Sequence, residues 1–177
     1  MRIKSDHTLV GPDGDPVEMM GALDAGLFTR LGEAEFNRSV RHGHALSMLA
    51  MSVEHNKSNN RQISPGNETQ LLSDLIFAWR RIIRDHDLLG RLNGRRFGVL
   101  LPDTDAQSAM NVAKRLAAVS HDIMEFDDQT RSYFKIKFIV SELSPVYFSF
   151  QDLASDLEHK FDSDDYFLVS ENSNSVA

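Results

Sequence analysis

The chain has 177 residues and no cysteine, which suits one domain with a real core and excludes disulfides and thiolate metal sites. Hydrophobic residues make up 41%, charged residues 25%, and the net charge is -7. Such a surface repels nucleic acid and anionic membrane in bulk, so a small anionic ligand needs a local basic pocket. No apolar run reaches membrane-spanning length, and "MRIKSDHTLVGPDGDP" lacks a signal-peptide core, which fits a cytoplasmic protein.

Residues 1–22 carry "GPDGDP" and read as an irregular leader. Leu27, Phe28, Leu31, Phe36 and Val40 then predict a helix over 24–41, interrupted near Gly32. "ALSMLAMSV" (45–53) reads as a buried central strand, with helix as the alternative. Residues 55–68 are polar, with Pro65 and Gly66, and read as a loop. Leu71, Leu72, Leu75, Ile76, Trp79, Ile82 and Ile83 predict an amphipathic helix that ends near Arg84 or Asp85.

"LLGRL" and "FGVLL" flank "NGRR", and Asn93-Gly94 offers the positive φ angles of a tight hairpin between strands 88–92 and 97–101. "PDTDAQSAMNVAKRLAAVS" opens with capping residues and continues as a helix. "YFKIKFIVSEL" alternates as a strand over 133–143, "FQDLASDLEHKF" is a short helix, and "YFLV" an edge strand. The polar tail 171–177 frays. This order predicts an α+β domain over 23–170, with helices packed on a mostly antiparallel sheet.

"DLLGRLNGRRFGVLLPDTDAQSAMNVAKRLAAV" resembles the signature region of GGDEF domains, the bacterial diguanylate cyclases. "MSVEHNKSNN" is similar to that family's first strand and loop, and "GLFTRLGEAEF" to its first helix. The resemblance implies a nucleotide-cyclase-like fold whose hairpin carries the signature turn, here Asn93, Gly94, Arg95, Arg96 and Phe97. Family cyclases join two GTP molecules into cyclic di-GMP with two Mg²⁺ ions. Of the carboxylates the family uses, one is matched by Ser52 and the other by Arg95; the next acid of the turn is Arg96.

A guanidinium about 4 Å from a divalent ion, at an effective dielectric near 20, is repelled by roughly 8 kcal/mol. The expectation is therefore a chain that is not an enzyme, has no cofactor and binds no Mg²⁺. The guanine-recognition positions are matched by Asn59, Glu68 and Gly32.

The resemblance also implies a second nucleotide site, the inhibitory I-site, marked by Arg-x-x-Asp five residues before the turn. Arg84, Asp85, His86 and Asp87 stand at that offset, and Arg115 matches an arginine supplied by the following helix. Arginine can fork onto guanine O6 and N7 or onto phosphate, and aspartate accepts from guanine N1-H and N2-H₂. The expected function is a cyclic di-GMP receptor, with a second copy or a regulatory protein as partner. The alternatives are an interaction or dimerisation module without a nucleotide, and a GTP-binding regulator. His55 and His86 lack companions at metal spacing.

Overall fold

The computed structural model describes residues 21–55, 65–126, 134–161 and 167–169. Most of the expected leader, the tail 171–177 and Asn59 lie outside the described residues. The elements in chain order are α1 (Ala25–His42), β1 (Leu46–His55), α2 (Pro65–Ile82), β2 (Leu88–Asn93), β3 (Arg96–Pro102), α3 (Ala106–Phe126), β4 (Phe134–Glu142), α4 (Phe150–Lys160) and β5 (Phe167–Val169). They form the α+β fold expected from the sequence, a five-stranded sheet in the order β2-β3-β1-β4-β5. Every strand pairing in it is antiparallel.

The central strand explains the layering. Alternate residues of a strand point to opposite faces, and a strand covered on both faces needs apolar residues at every position. Leu49, Met51 and Val53 of β1 join Leu75, Ile76, Trp79, Ala113 and Leu116 of α2 and α3 in one core. Leu46, Met48 and Ala50 join Phe28, Phe36, Phe150, Leu153 and Leu157 of α1 and α4 in the other. The sheet thus lies between two helical layers.

Three local expectations change. First, α1 runs unbroken through Gly32. A Cβ there would come within 2.6 Å of the Phe150 ring, so this glycine makes room for the α4 aromatic and does not break the helix. Leu31 and Val40, expected on the apolar face, are exposed, and the buried face is Phe28, Gly32, Phe36 and Ser39.

Second, α2 ends at Ile82, because the Arg84 N–H leaves the helical ladder and donates to Asp87 Oδ2 at 2.7 Å. Third, the hairpin loop is Gly94-Arg95. Asn93 pairs with Arg96 as the last residue of β2, and of the two only Gly94 takes a positive φ, of 46°. A glycine at the first loop position is one of the two ways a two-residue hairpin matches strand twist.

Just before α1, the Leu23 N–H donates to the Leu89 carbonyl and the Leu23 carbonyl accepts from the Arg91 N–H, both at 2.9 Å. The start of the domain is thereby tied to β2, the strand that joins the two candidate sites. Asp24 caps α1 by accepting from the Leu27 N–H, and Asp105 caps α3 by accepting from the Ser108 N–H. Among the described residues, no helix is long and apolar enough to cross a membrane.

Candidate functional site

Two clusters of sequence-predicted residues sit at opposite ends of β2. At its start, the loop 83–87 closes on itself. The Asp87 N–H donates to the Arg84 carbonyl at 3.2 Å, and Asp87 Oδ2 receives the Arg84 N–H. Asp87 is only 4% exposed, and its Oδ1 has no hydrogen-bond partner. A buried carboxylate oxygen without a donor costs on the order of 1–3 kcal/mol, more if charged. The imidazole of His86 lies above it, Nε2 3.8 Å from Oδ1, and is exposed.

Arg84 and Asp85 are exposed beside this carboxylate. From α3, Arg115 reaches across and donates to the Ile82 carbonyl at 3.3 Å. Arg84, Asp87 and Arg115 therefore share one corner, where the end of α2 meets α3. One contributor was absent from the sequence reading. Arg80 donates to the Arg84 carbonyl at 3.0 Å and to the Asp85 carbonyl at 3.4 Å, clamping the loop backbone. A basic residue in the last helical turn, facing unpaired carbonyls, was the signal available for it.

The second cluster is an open cleft of about 1010 Å³ at the far end of β1, lined by Ser52, Glu54, His55, Glu68, Arg95 and Arg96 among others. The strand register builds it. Ser52 stands opposite Arg96 on one side and Lys137 on the other, and Glu54 stands opposite Lys135. Glu54 bonds Lys137 at 3.1 Å and Lys135 at 3.3 Å, and the Ser52 hydroxyl donates to it at 3.3 Å.

Glu68, from the first turn of α2, ion-pairs with the Arg95 guanidinium, and His55 Nε2 lies 3.5 Å from its other oxygen. Arg96 sits over the Phe161 ring with its guanidinium carbon 5.0 Å from the centroid. Asn93 holds the hairpin to α4 through Glu158. Phe97 does not reach the cleft; it is fully buried against Trp79.

Burial opposes ionisation of Glu54, but the hydrogen bonds and charges of Lys137 and Lys135 prevail and hold its carboxyl below the usual carboxylate range. A carboxyl whose folded pKa is depressed stabilises the fold above its unfolded value and loses that contribution as pH falls through the folded one. Glu54→Gln should therefore lower stability at neutral pH. The deficit should vanish once the pH is below the ordinary carboxylate range. Urea unfolding across an acid series measures it, and a deficit that persists at the lowest pH would mean the lysines contribute nothing through charge.

The fold and the signature hairpin define a nucleotide-cyclase-like domain. The diguanylate cyclase GGDEF family model matches residues 26–160, and the chain belongs to that family. A diguanylate cyclase of Vibrio cholerae is 26% identical over 83 residues, which is 47% of this chain and 26% of that protein. Among solved structures, the active GGEEF domain of a Vibrio cholerae diguanylate cyclase superposes with a TM-score of 0.63 at 20% identity, covering 77% of this chain and 86% of that one. The GGDEF domain of DgcB from Caulobacter crescentus, in complex with c-di-GMP, gives 0.66 at 14% identity, covering 92% and 90%. The chain spans less than a third of the length of the curated relatives it matches.

The expectation that this chain is not an enzyme is corrected by these relatives. One curated relative is named a diguanylate cyclase and another a probable one, one structural neighbour is an active domain, and the family points to a cyclase. That expectation rested on two replaced carboxylates, but charge on a phosphoryl group is stabilised by arginine and lysine as well as by a metal ion. The cleft is rich in such cations.

The Mg²⁺ that the family implies does not fit the donors present. A hard, small cation requires oxygen ligands. Here both acidic side chains of the cleft are held by cations of the chain itself, and the Arg95 guanidinium stands among them. Among the described residues, no group of three or more His, Asp or Glu gathers to hold an ion.

Proposed function

We propose that this domain binds cyclic di-GMP at the corner formed by the end of α2, the loop 83–87 and α3. The observation that carries the reading is Asp87 Oδ1, buried without a hydrogen-bond partner beside two exposed arginines, Arg84 and Arg115. A guanine edge offers the two N–H donors this acceptor lacks. Arginine can in turn fork onto guanine O6 and N7 or onto a phosphodiester. The complexes of Caulobacter DgcB with c-di-GMP support the ligand class at the level of the fold.

The Asp87 side chain is closed off in this conformation, so binding requires His86 to swing aside. His86 is exposed, and such a rotamer change is inexpensive. A cyclic dinucleotide with a guanine at each end can also engage a second domain copy, which makes a ligand-linked homodimer part of the proposal.

Calorimetric titration with cyclic di-GMP tests it. Saturable binding is expected, weakened at least about tenfold in Arg84→Ala and in Arg115→Ala, since each removes a charge-assisted hydrogen bond. His86→Ala should bind as tightly as the natural chain or tighter. Absence of heat with the natural chain at tens of micromolar, on the order of a useful signalling affinity, would reject the reading. So would full affinity in both arginine variants.

A further inference from the structure

We propose that the His86 imidazole is a proton-operated gate over Asp87: in its charged form it closes the corner, so cyclic di-GMP binding weakens as the pH falls. The inference rests on the reading of that corner as a cyclic di-GMP site and adds how the site is regulated.

The backbone of the corner leaves little else to move. Residues 84–87 form a turn that the Asp87 N–H closes onto the Arg84 carbonyl at 3.2 Å, and Asp87 Oδ2 receives the Arg84 N–H at 2.7 Å. Arg80 donates to the Arg84 and Asp85 carbonyls, and Arg115 to the Ile82 carbonyl. His86 stands at the third position of this pinned turn. Its side chain is 60% exposed, while that of Asp87 is 2% exposed. The movable part of the corner is therefore the ring that stands over Oδ1, and a change of its rotamer is enough to move it.

The charge of that ring sets how firmly it stays. Its Nε2 lies 3.8 Å from Asp87 Oδ1, too far for a hydrogen bond and near enough for an ion pair. A neutral imidazole gains little from the carboxylate. An imidazolium gains the Coulomb attraction, and a small rotation brings a charged N–H donor to an oxygen that has none. A guanine edge needs the same oxygen. Proton and ligand therefore exclude one another.

The other charges of the corner are Arg84 and Asp85 in the turn, Arg80 from α2 and Arg115 from α3. The arginines oppose a further cation and Asp85 favours one, but Asp87 is the acid that His86 pairs with. Imidazole is the side chain whose ordinary charge change falls between about pH 5 and 8, above the ordinary carboxylate range. Arginine and phosphodiester keep their charges throughout that window. Plain attraction between a new cation and an anionic ligand would strengthen binding at the acid end. The gate weakens it, so the sign of the effect decides.

Calorimetric titration of the natural chain with cyclic di-GMP at about pH 8 and about pH 5.5 reads that sign. Affinity should be about fivefold lower at the acid end, the upper limit of what an exposed ion pair contributes. Between the two, binding should release protons, seen as a heat that changes with the ionisation enthalpy of the buffer. His86→Ala should lose both effects and keep, at either pH, the affinity the natural chain has at the alkaline end.

Tighter binding at the acid end, equal affinities at the two, or the same pH dependence in His86→Ala would each overturn the gate and leave the site standing. No heat at either pH would reject the site itself, and the gate with it.

Discussion

Gly90→Ala is expected to destabilise the domain by about 3 kcal/mol, the upper end of the usual cost of overpacking. A Cβ at this position would lie 2.3 Å from Cγ of Phe28, 2.4 Å from its Cδ2 and 2.5 Å from its Cβ. Flipping the ring about its Cβ–Cγ bond cannot relieve a collision with Cβ and Cγ, because neither atom moves in that rotation. Nor can β2 retreat freely. Gly90 pairs with Gly98 of β3 and bridges Leu23 on its other side. Gly98 faces the same ring, with a Cβ built there 2.8 Å from Phe28 Cε1. Two glycines side by side form the floor on which the Phe28 ring lies, and the edge of that ring meets Phe150 of α4 at 5.7 Å.

The coupling gives the sharper test. Phe28→Ala alone should cost about 3–5 kcal/mol as a cavity under α1. In the double variant the contacts with Cγ and Cδ2 are gone and only the one with Cβ, which alanine at position 28 keeps, remains, so the two costs should fall short of their sum by about 1 kcal/mol. Urea midpoints of the four proteins close the cycle. Strict additivity would mean that β2 shifts to relieve the clash, and that the glycine floor is not needed.

These contacts also mark where the sequence stopped being legible. Binary pattern and capping residues located every described element to within a few positions, because "ALSMLAMSV", "YFKIKFIV" and the capped helix at Asp105 carry their own periods. The glycines were less transparent. Gly32 read as an interruption, because the need for a missing side chain lies 118 residues away at Phe150. Gly94 announced a turn, but which residue opens it depended on Asn93 pairing with Arg96 and reaching Glu158.

The candidate sites divide in the same way. Residue types and offset brought Arg84, Asp87 and Arg115 to one corner, since a helix end, a short loop and a packed neighbouring helix leave little freedom. The burial of Asp87 is a tertiary fact with no local signal, and the Arg80 clamp had only a basic residue in the last helical turn to announce it. In the cleft, Glu68, Lys135 and Lys137 went unassigned as partners, because their meeting with Arg95 and Glu54 is set by the register of β1 with β4 and by the packing of α2. Judging the chemistry from the loss of acids at 52 and 95 alone overlooked the cations that the same register assembles.

Trp79→Ala is expected to lower stability by about 3–5 kcal/mol, equivalent to a melting-temperature drop on the order of 10 °C for a chain of this size. Trp79 is fully buried between α2, α3 and β3, with Phe97 edge-on at 5.7 Å. Its indole Nε1–H donates to Ser120 Oγ at 2.8 Å, and the Ser120 hydroxyl donates to the Leu116 carbonyl at 2.7 Å. This relay is a buried polar tie between α2 and α3, with apolar neighbours around it.

Trp79→Phe separates volume from hydrogen bonding. It keeps an aromatic ring and leaves the Ser120 oxygen without its donor, at a cost of about 1–3 kcal/mol. Adding Ser120→Ala should recover part of that loss, since both members of the relay are then gone. The consequence for function follows from adjacency. Trp79 precedes Arg80, which clamps the Arg84 and Asp85 carbonyls, and Arg115 crosses from α3 to the Ile82 carbonyl one turn further on. Loosening the Trp79 relay should let α2 and α3 drift apart at the Asp87 corner. Trp79→Phe should then weaken cyclic di-GMP binding while the far-ultraviolet circular dichroism stays that of the natural chain. A loss of both would instead indicate a global failure of the fold.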